Sequence, residues 1–208
     1  MGSARFDDEA SVAGKRLAAT LAGFGGDEEI VRGLLMDVSP KVRAAAVTAL
    51  VNAGRARPDD VRRALGDPDP AVRRATCELA TRLTGADFTP LLDDADPTVV
   101  EAAAFAVGEA GDSRACARLA EIAGSHSDPL CRESAVAALG AIGDDAGRAA
   151  VLAALGDVPA VRRRAVVALA AFTGDDVEAA LRGRLSDRNW QVRQAAETVL
   201  GINGSETR

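Results

Sequence analysis

Apolar residues recur at helical spacing in six similar segments of the chain. In the first segment, Val42, Ala46, Ala49 and Leu50 would lie on one face of a helix. In five of the six segments a Pro follows the opening turn residue, which suits the first position of a helix because no backbone donor is needed there. These signals predict helices that start near residues 40, 70, 97, 129, 159 and 190.

The six segments are separated by the length of one helical pair. From Val42 to Val192 the equivalent positions recur every 30 residues on average, and shorter amphipathic segments lie between them, for example at 112–123 and 144–155. A single helical pair cannot bury both of its sides, so the pairs have to stack on one another. The pattern therefore predicts an all-α solenoid of about six helical pairs, forming one domain over residues 27–204.

Glycine is expected to end each of the six helices, because it readily adopts the left-handed conformation that closes a helix. The predicted end residues are Gly54, Gly85, Gly111, Gly143, Gly174 and Gly204. Residues 1–26 are predicted to form an N-terminal segment with a capping helix, in which Leu17 and Leu21 lie on the apolar face. Residues 205–208 are predicted to be a frayed tail.

The repeated string Asp-x-x-Pro-x-Val-Arg-x-x-Ala-x-x-Ala-Leu resembles the HEAT repeat. It is most similar to the short HEAT-like repeats of bacterial and archaeal proteins and of phycobilin lyases (the PBS-lyase type). The resemblance covers residues 27–204. It implies a right-handed superhelix in which the second helix of each pair lines the concave surface.

The same resemblance implies a ladder along the stack, formed by a turn Asp and the Arg six positions later. The matching pairs are Asp37 with Arg43, Asp67 with Arg73, and Asp187 with Arg193. Val100 replaces the Arg of the third segment, and Arg132 and Arg162 lack an Asp at that spacing. We therefore expect the ladder to be interrupted near the middle of the chain.

Composition and charge argue against several classes of protein. The chain is 48% hydrophobic, which is inconsistent with general disorder. Its net charge of -6 argues against a nucleic-acid partner, because binding phosphates requires a basic surface. No apolar run is long enough to span a membrane, and the first residues lack the apolar core of a signal peptide. We expect a cytoplasmic protein without a membrane partner.

No residues for catalysis, a cofactor or a metal are evident in the sequence. His126 is the single histidine, which excludes a histidine-rich metal site and with it the His-Glu iron pattern of deoxyhypusine hydroxylase, an enzyme of HEAT type. Cys77, Cys116 and Cys131 lie inside helical patterns and are interpreted as buried thiols. Trp190, the single Trp, is expected to pack against its turn rather than to stack on a base.

A partner is expected to bind the exposed positions of the second helices. The residues predicted to bind it are Arg74, Glu78, Arg82, Glu101, Phe105, Glu109, Glu133 and Arg163. Phe105 is larger and more apolar than its equivalents in most other segments, and it lies between Glu101 and Glu109 at i-4 and i+4. Such a residue is either an anchor for a partner of complementary charge or a side chain that fills a gap between helices.

The sequence therefore predicts a monomeric, non-catalytic scaffold that binds a protein or peptide on its concave face. Two alternatives stay open at this point. One is an accessory subunit or lyase-like factor of the phycobilin-lyase type that acts on a protein substrate. The other is a DNA glycosylase of the HEAT-like class, which the acidic composition disfavours.

Overall fold

The computed structural model describes residues 11–17 and 28–202, and every regular element within these ranges is a helix. Residues 11–17 are helical. The α-helices that follow are α1 (Glu28–Gly33), α2 (Pro40–Asn52), α3 (Pro58–Leu65), α4 (Pro70–Cys77), α5 (Pro97–Ala110), α6 (Cys116–Ser125), α7 (Pro129–Ile142), α8 (Arg148–Ala153), α9 (Pro159–Ala168), α10 (Asp175–Gly183) and α11 (Trp190–Val199). The all-α prediction is confirmed.

The chain forms two compact units, residues 1–91 and residues 92–208. We call α2, α4, α5, α7, α9 and α11 the second helices, because each is the second member of a helical pair. In the first unit, α2 packs against α4. In the second unit, α5 packs against α7, α7 against α9, and α9 against α11. Each unit therefore has its second helices side by side in chain order.

The third helical pair differs from the expected pattern, because its first member is the 3-10 helix Thr89–Asp93 instead of an α-helix. Pro90 lies inside this segment and removes a backbone donor that a longer helix would use. Leu92 is nevertheless only 1% exposed, so the short segment still contributes an apolar side chain to the core. The boundary between the two units falls within this 3-10 helix.

Hydrogen bonds from backbone N–H groups to Asp side chains fix where several second helices begin. Asp69, Asp96 and Asp128 each accept a hydrogen bond from the backbone N–H two residues later, at 2.9 Å. At the other ends, the glycines with positive φ are Gly54, Gly85, Gly111, Gly143, Gly174 and Gly201. The glycine that follows α11 is thus Gly201, since the chain leaves the helix before Gly204, which lies outside the described residues.

Part-buried basic side chains link neighbouring helical pairs in the first unit. Arg43 donates to both carboxylate oxygens of Asp67, at 2.8 and 2.7 Å, and to the backbone oxygen of Asp37 at 2.9 Å. Arg43 therefore binds its own turn through a carbonyl and the next pair through a carboxylate, and we call such a contact a rung. Lys15 binds the carboxylate of Asp37 at 2.7 Å, which joins the N-terminal helical segment to the first pair.

Two further rungs lie in the second unit. Arg132 binds both carboxylate oxygens of Asp157, at 2.7 and 2.8 Å. Arg162 binds both oxygens of Asp187, each at 3.1 Å, and Arg162 is only 5% exposed. The expected interruption at these two arginines is therefore wrong. Sequence spacing could not identify their partners, because each carboxylate lies 25 residues after its arginine.

The turn Asp that precedes an arginine by six residues has a different role from the one its spacing suggested. Arg73 donates to the backbone oxygen of Asp67 at 2.7 Å, and Arg193 donates to that of Asp187 at 2.8 Å. The carboxylate of Asp187 binds Arg162 from the preceding pair. The repeat therefore uses the carbonyl within a pair and the carboxylate between pairs.

His126 stands at the position of the turn Asp in the fourth repeat. Its Nδ1 atom accepts a hydrogen bond from the backbone N–H of Asp128 at 3.1 Å, as Asp67 does from Asp69 at 2.9 Å. Val100 occupies the arginine position of the preceding repeat and is 2% exposed. Both charged members of a rung are thus replaced by residues that carry neither a guanidinium nor a carboxylate. The single histidine keeps the local turn through this hydrogen bond.

The rungs make the stability of the folded protein depend on pH. Burial raises the pKa of Asp67 and Asp187, but hydrogen bonds from Arg43 and Arg162 and from backbone N–H groups outweigh it, so both carboxyls have a lowered pKa. The bond from Arg132 is the main reason that the pKa of Asp157 is lowered. A carboxyl whose pKa is lower in the folded than in the unfolded state adds stability above the unfolded pKa and loses it as pH falls through the folded pKa.

We expect the free energy of unfolding in urea to be nearly constant from pH 7 to pH 5 and to fall steeply below about pH 4, near the unfolded pKa of Asp. Asp157→Asn should be less stable at pH 7 and should lose less stability on acidification. Asp59→Asn is the control, because the side chain of Asp59 is 83% exposed. A pH dependence that Asp157→Asn leaves unchanged would contradict the role of this rung.

Neighbouring second helices approach closely where small residues face each other. A Cβ atom added to Gly108 on α5 would lie 2.9 Å from the Cα atom of Ala138 on α7. One added to Gly140 on α7 would lie 2.6 Å from the Cβ atom and 2.8 Å from the Cα atom of Ala168 on α9. These contacts are closer than carbon atoms normally allow, so the glycines permit the observed separation of the helices.

Gly140→Ala is expected to lower the free energy of unfolding by about 1–3 kcal/mol, because α9 has to move to accept the added methyl group. Alanine is more favourable than glycine in a helix by about 1 kcal/mol. A loss of stability in Gly140→Ala would therefore have to come from the contact with α9, since helix propensity alone would raise stability. Gly124→Ala in α6 is the matched control, since an added Cβ atom there meets nothing within 4 Å. Urea denaturation gives the free energy of unfolding of both variants. A Gly140→Ala variant as stable as the unchanged protein would show that the contact is not tight.

Candidate protein-binding surface

A groove of about 560 Å³ lies between α5 and α7 in the second unit. Phe105 and Leu130 line the groove and are 47% and 55% exposed. We call it the Phe105 groove. The other lining residues include the small residues Gly108, Ala137, Ala138 and Ala141. The sequence left open whether Phe105 is packed or exposed, and in the structure nearly half of its surface is exposed.

The helix that carries Phe105 explains this exposure. Its neighbours Ala104 and Ala106 are fully buried, as are Val99 and Ala103. These residues pack α5 into the core of the second unit, so Phe105 projects from the opposite side of the helix. The close approach of α5 and α7 at Gly108 and Ala138 leaves little side-chain bulk beneath the phenyl ring. An aromatic side chain therefore stands above a shallow apolar surface.

Unpaired carboxylates lie on both sides of Phe105. Glu101 and Glu109 line the groove one turn before and one turn after the ring. Within the described part of the chain, no basic side chain forms an ion pair with either of them. Eight residues of α-helix separate the two carboxylates by roughly 12 Å along the axis of α5. The rim of the groove on α5 is thus acidic and open to a basic partner.

Glu133 was predicted to be an exposed residue that binds a partner, but in the structure it is mostly buried and pairs with arginines. Its carboxylate lies 3.3 Å from Arg164 and 3.6 Å from Arg163, and its side chain is 16% exposed. Both arginines belong to α9, so Glu133 joins α7 to the next second helix. Arg164, and not the predicted Arg163, lines the Phe105 groove. The charge of Glu133 is therefore largely balanced within the second unit.

The other predicted partner-binding residues belong to the first unit. Arg74 lines a groove of about 730 Å³ between α2 and α4, and it pairs with Glu78 at 3.3 Å. Arg82 lies on the 3-10 helix Ala80–Arg82 and donates to the side-chain oxygen of Asn52. The structure therefore brings Glu101, Phe105, Glu109 and Glu133 together in one groove.

Several lining residues were missed by reasoning from the sequence. Arg164 is one of three consecutive arginines, and only packing distinguishes it from the rung residue Arg162 and from Arg163. Arg16 lines the groove of the first unit although it belongs to the N-terminal helical segment. A signal for Arg16 was the adjacent basic residue Lys15, but the position of that segment beside the groove depends on tertiary structure.

The described residues were searched for metal-binding groups and reactive thiols. No group of three or more His, Cys, Asp or Glu side chains within residues 11–17 and 28–202 is arranged to hold a metal ion. Cys77, Cys116 and Cys131 are buried and are not disulfide-bonded. Burial raises the pKa of the Cys116 thiol, and burial, with Asp128 and Glu101 nearby, raises the pKa of Cys131 to about 11. The raised pKa keeps the Cys116 and Cys131 thiols protonated at neutral pH, and a protonated thiol is a poor nucleophile.

Two further predictions concern the exposure of Trp190 and the presence of a membrane-spanning helix. Trp190 is 61% exposed at the first position of α11, so most of its surface faces solvent and is not covered by the turn. Asn189, which precedes it, caps the helix by accepting from the backbone N–H groups of Gln191 and Val192. Among the helices that the structure describes, none combines the length and the apolar character needed to cross a bilayer.

Comparison with known proteins identifies the class of fold. Residues 85–160 match the family model described as HEAT repeats. The structure is similar to that of YibA from Escherichia coli, with a TM-score of 0.62, 19% sequence identity, and coverage of 88% of this chain and 72% of that protein. The predicted resemblance to HEAT repeats is confirmed.

A second structural neighbour is a designed armadillo repeat protein solved in complex with the peptide (KR)4. Its TM-score is 0.51 at 17% identity, and the match covers 96% of this chain and 94% of that protein. The fold is therefore an α-solenoid of the HEAT and armadillo type. Human deoxyhypusine hydroxylase matches with a TM-score of 0.49 and 23% identity, over 91% of this chain and 79% of that protein. A comparison with curated proteins gave no significant match.

Proposed function

We propose that this chain is a non-catalytic scaffold that binds a protein segment in the Phe105 groove. The observation that carries this proposal is the half-exposed phenyl ring between two carboxylates that have no basic partner in the described residues. Large aromatic side chains supply much of the binding energy in protein interfaces when a partner covers them. The ring and the adjacent Leu130 are the apolar centre of the proposed interface.

The energetics favour an occupant that covers the ring. Apolar surface that is removed from water contributes about 25 cal/mol per Å², and the alanines of the groove floor add to the surface that a partner would cover. Glu101 and Glu109 lie at the rim, where carboxylates stay hydrated until a basic group binds them. Charges at a rim contribute more to association rate and specificity than to affinity.

The charges indicate what the bound segment contains. An apolar side chain would contact Phe105, and Lys or Arg residues on both sides of it would bind Glu101 and Glu109. The distance of roughly 12 Å between the two carboxylates matches residues i and i+4 of an extended segment, since each residue of a strand spans about 3.3 Å. Alternation of side chains then directs residue i+2 to the same face, which is the position of the apolar residue.

The test is a selection of displayed random peptides against the purified protein, followed by measurement of affinity by isothermal titration calorimetry. We expect the selected peptides to share an apolar residue with Lys or Arg two positions before and after it. Phe105→Ala should weaken binding roughly tenfold or more, because the apolar centre is lost. The melting temperature should change little, since the ring is half exposed in the free protein.

Ile30→Ala is the matched control, because Ile30 is 61% exposed on α1 and lies outside the groove. Glu101→Lys with Glu109→Lys should reduce the affinity for basic peptides and should have a smaller effect on their uncharged analogues. Selected peptides that bind Phe105→Ala as tightly as the unchanged protein would show that this groove is not the site. A selection that yields no binding peptide would also count against the proposal.

A further inference from the structure

The first unit contains a groove whose charge is opposite to that of the Phe105 groove. It lies between α2 and α4 and has a volume of about 730 Å³. Six alanines are among its lining residues, and the charged side chains at its edge are Arg16, Lys41 and Arg74. No carboxylate is among the described residues that line it. We call it the Lys41 groove. The chain as a whole has a net charge of -6, so this groove is a basic surface on an acidic protein.

We propose that the Lys41 groove is a separate docking site for an acidic protein segment, with aliphatic residues on the alanine floor and Asp or Glu side chains bound by Arg16, Lys41 and Arg74. This site does not depend on the function proposed for the Phe105 groove. The two grooves belong to different units and differ in charge, so one chain would bind two segments of different composition.

Two of the cations at this groove, Lys41 and Arg74, are available to a ligand. Lys41 is exposed and has no ion-pair partner among the described residues. Among the described residues, Arg74 pairs only with Glu78, four residues later in the chain, at side-chain exposures of 48% and 58%. Exposed pairs of this spacing contribute little to stability, so a carboxylate of a ligand can replace Glu78 at little cost.

Arg16 is held at the groove by its neighbour in sequence. Lys15 binds the carboxylate of Asp37 at 2.7 Å, and the side chain of Asp37 is only 9% exposed. The bond from Lys15 is the main reason that the pKa of Asp37 is lowered, and a bond from the backbone of Ser39 adds to it. This contact fixes the helical segment 11–17 beside α2, so Arg16 lines the end of the groove near Pro40 and Lys41.

Polar groups at the groove suit a peptide backbone. The side-chain oxygen of Asn52 accepts a hydrogen bond from Arg82, which orients the amide so that its NH2 group can donate to a carbonyl. Thr48 donates its hydroxyl hydrogen to the backbone oxygen of Ala44 at 2.8 Å, so its oxygen stays available as an acceptor. An apolar floor, three cations, one donor and one acceptor match a short acidic peptide better than a bare anion.

A polyanion such as nucleic acid fits these observations less well. Three cations neutralise few phosphates, and the net charge of -6 repels a long chain of them. The alanine floor offers no aromatic ring on which a base could stack. An acidic protein segment with aliphatic residues uses both the charges and the floor.

The test uses a short fluorescent peptide in which Asp and Glu flank two leucines, and it measures anisotropy with the full chain at low and at physiological salt. We expect saturable binding that weakens as salt is added. Lys41→Glu with Arg74→Glu should weaken binding by about tenfold or more, because two attractions become repulsions. Phe105→Ala should leave this affinity unchanged, and this separates the proposal from the function of the Phe105 groove.

The matched control is Arg55→Glu with Arg62→Glu, which changes the net charge equally at exposed positions of the first unit that do not line the Lys41 groove. A peptide with Asn and Gln in place of the acids should bind poorly, and so should a single-stranded oligonucleotide of equal charge. Equal loss in the control variant, tighter binding of the oligonucleotide, or no binding of the acidic peptide would overturn the proposal. Circular dichroism of each variant checks that the helices are intact.

Discussion

The rung between an arginine and the turn Asp of the next repeat is the interaction on which the rest of this structure depends. Arg43, Arg132 and Arg162 each bind both oxygens of a carboxylate that lies 24 or 25 residues later in the chain. Each of these carboxylates is at most 17% exposed, so the bonds form in a partly dry environment where charge-assisted contacts are strong. The same carboxyl groups accept hydrogen bonds from the backbone just before the next second helix, as Asp67 does from Asp69. A rung therefore fixes both the distance between two repeats and the residue at which the next helix begins.

The Lys41 groove lies between repeats that a rung joins, whereas the Phe105 groove lies between α5 and α7, where Val100 and His126 take the places of the two charged residues and close helix packing sets the separation. Once successive second helices are fixed side by side, small residues such as Gly140 and Ala168 face each other at a separation that a larger residue would prevent. The exposed side of these helices then offers a floor of small residues in each unit, alanine and glycine at the Phe105 groove and alanine at the Lys41 groove. What distinguishes the two grooves is the rim, which carries Glu101 and Glu109 in one and Lys41 and Arg74 in the other. Under the two proposals, the same scaffold with different rims would bind different segments without a change of fold.

The sequence predicts the helices well and the contacts between repeats poorly, and the reason is physical. Helix starts such as Pro129 follow from local signals, because an Asp cap, a following Pro and apolar spacing all act within a few residues. The carboxylate that Arg132 binds lies in the next repeat, so spacing within its own repeat pointed to no suitable partner. The ion pairs of Glu133 with Arg163 and Arg164 and the position of Arg16 beside α2 depend on tertiary packing in the same way. The exposure of Phe105 was open from the sequence, since an aromatic residue among alanines fits either a gap between helices or a surface.

The most direct test of this account is a double-mutant cycle on Arg162 and Asp187, measured by urea denaturation at pH 7. The two single substitutions, Arg162→Met and Asp187→Asn, and the double variant give the coupling free energy between the side chains. A rung that holds two repeats in register predicts a coupling of about 2–3 kcal/mol in favour of the native pair, near the upper end of the range for contacting residues. A coupling near zero would mean that the two bonds seen at 3.1 Å contribute nothing to stacking and would contradict the central role assigned to the rungs.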